Sequence, residues 1–75
     1  MHGETGRGAV VTMDGDGRWL SVRGHRGIME YGSSGLRLRL KEGVLLIEGE
    51  GLILESMDGE DVLVSGRIDG VKRLR

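Results

Sequence analysis

Leu36-Arg37-Leu38-Arg39-Leu40-Lys41 alternates apolar and cationic residues without a break, and this run is the strongest constraint on what the chain can become. Successive side chains on a strand point to opposite faces, so a strand gathers the three leucines on one side and the three cations on the other. A helix would scatter both sets around its circumference. The rest of the chain repeats the theme in shorter runs, at residues 10–13, 18–23, 27–31, 44–48, 52–55, 61–65 and 67–72, each bounded by glycine or by a Ser-Gly or Asp-Gly pair. Seven or eight such runs predict an all-β fold: short, mainly antiparallel strands in a meander that forms a small sandwich or barrel-like roll, with a short β-solenoid as the alternative. Fifteen glycines, no proline and a single alanine, Ala9, agree with tight turns and argue against long helices.

Local pairing follows from the turns. With Glu42-Gly43 as a two-residue hairpin loop, Leu40 falls opposite Leu45, Leu38 opposite Ile47, and Arg37 beside Glu48. In the next hairpin, a bulged three-residue loop of Met57-Asp58-Gly59 is expected, because it pairs Leu54 with Val62 and Leu52 with Val64. Three segments, at residues 20–24, 45–49 and 62–66, share the form apolar, any, apolar, any, glycine. They read as strands that end at a glycine corner. Residues 1–8 lack apolar periodicity and are expected to form a disordered arm, leaving 9–75 as one β domain.

A second apolar set, Val44, Leu46, Ile53 and Leu63, points away from the face that carries Leu45 and Ile47. Either the N-terminal strands fold over it, bringing Trp19 and Met13, or a second copy of the chain covers it. A chain of 75 residues gains only about 3–5 kcal/mol net from one core. With no cysteine and no His/Cys cluster, neither a disulfide nor a structural zinc adds to that. These four residues are therefore the expected interface of a homo-oligomer.

Candidate chemistry is sparse. His25 is flanked by Arg26 and glycines, with no nucleophile or orienting carboxylate proposed by local spacing. Asp14-Gly15-Asp16-Gly17 begins like a calcium loop, but the bidentate Glu that such a loop needs at its twelfth position is here His25. The glycine pairs complete neither a dinucleotide fingerprint nor a phosphate loop, and Ser33-Ser34-Gly35 reads as a turn. No catalytic residue, cofactor or metal site is expected. Arg37, Arg39 and Lys41 are the candidate docking surface, with cations about 7 Å apart along a strand, close to phosphate spacing. A net charge of −1 and only two aromatics weigh against nucleic acid as their ligand. No run approaches the roughly 20 apolar residues of a membrane span, and the start of the chain does not read as a signal peptide, so a cytoplasmic protein is expected.

The stretches R-W-L-S-V-R-G-H-R-G-I-M-E-Y, G-L-R-L-R-L-K-E-G-V-L-L-I-E-G-E-G-L-I-L and D-V-L-V-S-G-R-I-D-G-V together resemble the YabP/YqfC family of sporulation proteins from endospore-forming bacteria. The likeness runs from about Arg18 to Val71. Gly24, His25 and Gly27 match one family motif, Gly43, Leu45, Ile47 and Gly49 a second, and Val62, Val64, Gly66 and Ile68 a third. The resemblance implies a non-enzymatic sporulation protein with a protein-binding role; together with the uncovered apolar set, the expectation is a small β-rich assembly or protein-interaction module that self-associates. It further implies a membrane-associated sporulation protein as partner, which would place the chain in the cytoplasm of the sporulating cell or peripherally at a membrane. The alternative expectation is a small β-barrel that binds nucleic acid through the cationic strand.

Overall fold

The computed structural model describes residues 9–74, so the expected arm at 1–8 lies outside the described residues. Six strands follow in order: β1 (Val10–Met13), β2 (Trp19–Arg23), β3 (Gly27–Gly32), β4 (Gly35–Leu40), β5 (Gly43–Asp58) and β6 (Asp61–Leu74). They form one antiparallel sheet in the order β1-β2-β6-β5-β4-β3. β3 to β6 run as a meander, and the β1–β2 hairpin joins the free side of β6. The sheet does not close into a barrel, and every pairing is antiparallel, which removes the solenoid alternative.

A flat sheet would leave one face bare, yet Leu20, Leu36, Leu38, Ile47 and Val64 are each 0% exposed. Only the sheet itself can cover them. β5 and β6 are long enough to do so because they bend midway. Their first and second halves belong to two opposed layers, one made of β1, β2 and residues 52–58 and 61–66, the other of β3, β4 and residues 43–50 and 67–74. Leu20, Val22, Leu52, Val62 and Val64 from the first layer meet Leu36, Leu38, Leu40, Leu45, Ile47 and Ile68 in a single core.

The bends sit at glycines for a steric reason. A Cβ on Gly49 would be driven into the carbonyl oxygen of Arg67, and one on Gly66, whose φ is +124°, would lie 2.5 Å from the carbonyl oxygen of Gly51. The two strands cross too closely there for any side chain. Their backbone groups at the bends find partners in the turns of the flanking hairpins. Gly49 and Leu52 donate to the carbonyls of Ser34 and Ser33, and Gly66 and Ile68 donate to those of Arg18 and Gly17.

The expected runs at 44–48 and 52–55 are thus one strand, β5, and those at 61–65 and 67–72 are one strand, β6. Of the three repeated glycine motifs only Gly24 ends a strand; Gly49 and Gly66 bend strands that continue. Both expected hairpin registers also require correction. The β4–β5 loop is Lys41-Glu42, so Leu40 pairs with Gly43, Leu38 with Leu45 and Leu36 with Ile47, two residues from the expected register. The faces survive, because a shift by two preserves the period of the strand. Arg37 then pairs with Leu46 across the ladder rather than with Glu48. The β5–β6 loop is Gly59-Glu60, which pairs Met57 with Val62 and Leu54 with Val64. A bulge does occur in this hairpin, but inside the strand between Leu54 and Ser56, where Glu55 is the extra residue. It brings the Leu54 side of β5 back onto the core face that a strict two-residue loop would have lost.

Candidate functional site

Because the sheet folds over, it presents two outer faces that look in opposite directions. On the first layer, ladder partners place Trp19, Ser65 and Ile53 in one row and Ser21, Leu63 and Ser56 in the next. Trp19 is 39% and Ile53 54% exposed, and Leu63 is half-buried between them. The middle of this face carries hydroxyls and a single carboxylate, that of Glu55, which accepts from Ser65 Oγ at 2.6 Å. An ion pair enters only at its margin, where Arg23 Nε meets Asp61 at 3.2 Å. Trp19 belongs to this face instead of covering it, and Met13, paired with Leu20, lies on the core side of β1.

The second layer's outer face holds Val44 and Leu46, both half-buried, in rows with Arg39 and Leu74 and with Arg37 and Lys72. Here charge dominates. Arg37 Nε meets Glu30 at 3.2 Å, and Lys72 Nζ meets Glu48 at 3.9 Å. The four residues of the expected interface therefore do not form one patch. Ile53 and Leu63 lie on the first face, Val44 and Leu46 on the second, and the fold separates the pairs. Trp19 joins the first pair, a contribution no local pattern reveals, since only the β2–β6 pairing sets it beside Ser65.

The cationic strand is less free than its alternation suggests. Arg37 is neutralised by Glu30, and Lys41 has left β4 for the turn. Arg39 remains on the outer face, without a carboxylate in ion-pair reach among the described residues. At the bend, Arg67 bridges Glu50 and Asp69; its hydrogen bond to Asp69, reinforced by both negative charges, pushes its already high pKa further up.

His25 is buried, 5% exposed, in the corner between β2 and β3. Its Nδ1 accepts a 3.0 Å hydrogen bond from Gly27 N–H, which fixes the neutral tautomer with its proton on Nε2. That proton has no acceptor among the described residues. Neighbouring backbone groups lock the same corner: Gly24 and His25 donate to the Glu60 carbonyl and Arg26 to that of Arg39, joining the two layers at one end. The motif glycines Gly24 and Gly27 frame this corner, Gly49 and Gly66 the bends, and Gly43 starts β5. Among the described residues no nucleophile or carboxylate is hydrogen-bonded to His25, so its position is that of a corner brace. Beside it, a shallow groove of about 450 Å³ is lined by Arg26, Ile28, Met57 and Gly59. Among the described residues there is no group of three or more His, Cys, Asp or Glu able to hold a metal, and no helix long and apolar enough to cross a membrane.

Comparison with known proteins adds the lineage of these features. The model of the YabP family matches residues 6–73, which takes in every strand up to all but the last residue of β6. The chain is also similar to the uncharacterized protein YqfC of Bacillus subtilis (strain 168), with 31% identity over 53 residues. That match covers 71% of this chain and 57% of the relative's length. No solved structure matches.

Proposed function

This chain belongs to the YabP family, and from that premise we propose that it is a non-enzymatic sporulation protein, a small β module that works by docking and that associates with itself. The observation that carries the reading is the first outer face. Trp19, Ile53 and Leu63 make an apolar surface on a sheet whose opposite side is already fully used by the core. A small domain rarely leaves Trp and Ile exposed in one row of a face with so little charge unless something covers them. His25, spent on bracing a corner, offers no support for catalysis. The expected membrane-associated sporulation partner would compete for the same face or use the second one, and the cytoplasm of the sporulating cell is the proposed setting.

Two measurements test this. Sedimentation over a range of concentrations should show reversible association that Ile53→Glu weakens while the unfolding midpoint stays put, since Ile53 is not in the core. Deleting the gene in the spore-former that carries it should reduce heat-resistant spores, and the Ile53→Glu variant should restore fewer of them than the parent protein. A normal spore yield after deletion would overturn the sporulation half; a monomer at every concentration would overturn self-association.

A further inference from the structure

An open sheet has unpaired margins, and four exist among the described residues: β1, β3, and the halves of β5 and β6 that run beyond their pairings with β4 and β2. Exposed margins invite another strand, and proteins usually blunt them. Three are blunted here. In β3 the register shifts between Ile28 and Glu30, so the edge is kinked at Met29. The free half of β5 is occupied by Tyr31, whose hydroxyl accepts from Leu54 N–H at 3.0 Å and donates to the Leu52 carbonyl at 3.3 Å. The free half of β6 carries Asp69, Lys72 and Arg73. β1 has no such device. Val10-Val11-Thr12-Met13 is uncharged, pairs with β2 without a bulge, and is exposed at every position, with Val10 at 53% and Met13 at 48%.

One hydrogen bond orients the free groups of this edge. Asp14 N–H donates to the Trp19 carbonyl at 3.0 Å, so residue 14 forms a hydrogen-bonded pair with 19. Antiparallel ladders alternate, which turns the N–H and C=O of Thr12 and Val10 toward β2 and those of Val11 and Met13 outward. The β2–β6 side agrees, since Gly66 donates to Arg18 and so leaves residues 19, 21 and 23 to face β1.

We propose that β1 pairs antiparallel with β1 of a second copy about a two-fold axis at Thr12, an inference that rests on the self-associating reading above and adds to its outer face a separate contact at the sheet edge. In this register Val11 of each copy lies opposite Met13 of the other, and all outward groups of the two strands make four hydrogen bonds. The Val11 and Met13 side chains extend the layer of Leu20 and Val22, and the two Thr12 residues meet on the outer side, a favourable cross-strand pair. A strand without charge brings no like charges together across the axis. The kinked β3 edge cannot receive β1, so pairing through the edge closes at two copies and does not extend into a continuous sheet. The contact is small, and a dissociation constant of about micromolar or weaker is expected.

Hydrogen exchange, sedimentation and cross-linking test it on the full chain. The amides of Val11 and Met13 should be protected at high concentration and lose that protection, by about tenfold or more, on dilution to the monomer. Val11→Pro removes a donor used only between copies, at a position where an edge strand accepts proline because its N–H faces outward; it should keep the parent's unfolding midpoint but lose this contact, weakening association by about tenfold or more. Thr12→Cys introduces the chain's sole cysteine, and non-hydrogen-bonded antiparallel pairs stand about 4.5 Å apart at Cα. With oxidised glutathione it should yield a disulfide-linked dimer, whereas Val10→Cys should not. A dimer that Val11→Pro leaves at the parent's strength but that dissociates in Ile53→Glu would overturn the edge pairing and keep the outer-face reading. A parent protein that stays monomeric would overturn both. Protection of Val11 and Met13 that does not change with concentration would also overturn the pairing, assigning the edge to the chain's own residues 1–8.

Discussion

The two outer faces are built from the same pair of long strands, yet they have opposite character. Residues 43–50 and 67–74 give a face on which Arg37, Glu30, Lys72 and Glu48 are tied into ion pairs over half-buried Val44 and Leu46. Residues 52–58 and 61–66 give a face of Ile53, Leu63, Ser56 and Ser65 joined by Trp19. The long arginine and lysine stems shield apolar neighbours on the first kind of face while their heads stay in water. Serine is too short to do that. Apolar content alone thus does not mark a docking surface; the second apolar set is shared evenly between the faces, and only one lacks a cover of its own.

The largest effect should come from erasing the division itself. Gly49→Ala forces a methyl group into the Arg67 carbonyl at the bend, and a loss of about 3–5 kcal/mol is expected, enough to unfold a domain of this size. Circular dichroism would show it, and a variant that stays folded with an unchanged midpoint would mean the layers do not need so close a crossing. Next in size is the contrast between the faces. Ile53→Glu should weaken self-association by roughly tenfold or more, as expected for a central apolar contact, whereas Arg39→Glu on the charged face should leave it within experimental error. Equal effects would erase the distinction. A double-mutant cycle on Arg37 and Glu30 should return only about 0.2–1 kcal/mol of coupling, because both side chains are largely exposed, at 45% and 72%. Smallest of all is the response to nucleic acid: titration with an oligonucleotide at low salt should give no binding that Arg37→Ala abolishes, and a steep salt dependence would instead revive the cationic strand as a ligand surface.

Much of the fold was legible in the residues. Strand β1 begins and ends as its apolar pattern predicts, and the alternation of Leu36 to Lys41 sorts core from solvent correctly down to Leu40. What failed was pairing. The β4–β5 loop lies one step earlier than Glu42-Gly43, and the expected register satisfies the local pattern because Leu40 and Leu38 still meet apolar partners, Leu45 and Ile47. The site was less legible. Ile53 and Leu63 read as apolar residues facing outward, but nothing local separates them from Val44 and Leu46, and Trp19 stands out only after β2 has found β6. Tyr31 shows the same limit, since its hydroxyl meets residues 52 and 54 only because the sheet folds over.

Sequence alone determined where most of the strand segments lie, which of their faces is apolar, and the family to which the chain belongs, because a period of two residues is a local property that any partner must respect. Tertiary structure decided the registers, the two bends and the sorting of outward residues onto opposite sides. Those depend on how closely residues 49 and 67 approach in space, and a shift of two along a strand leaves the local pattern unchanged.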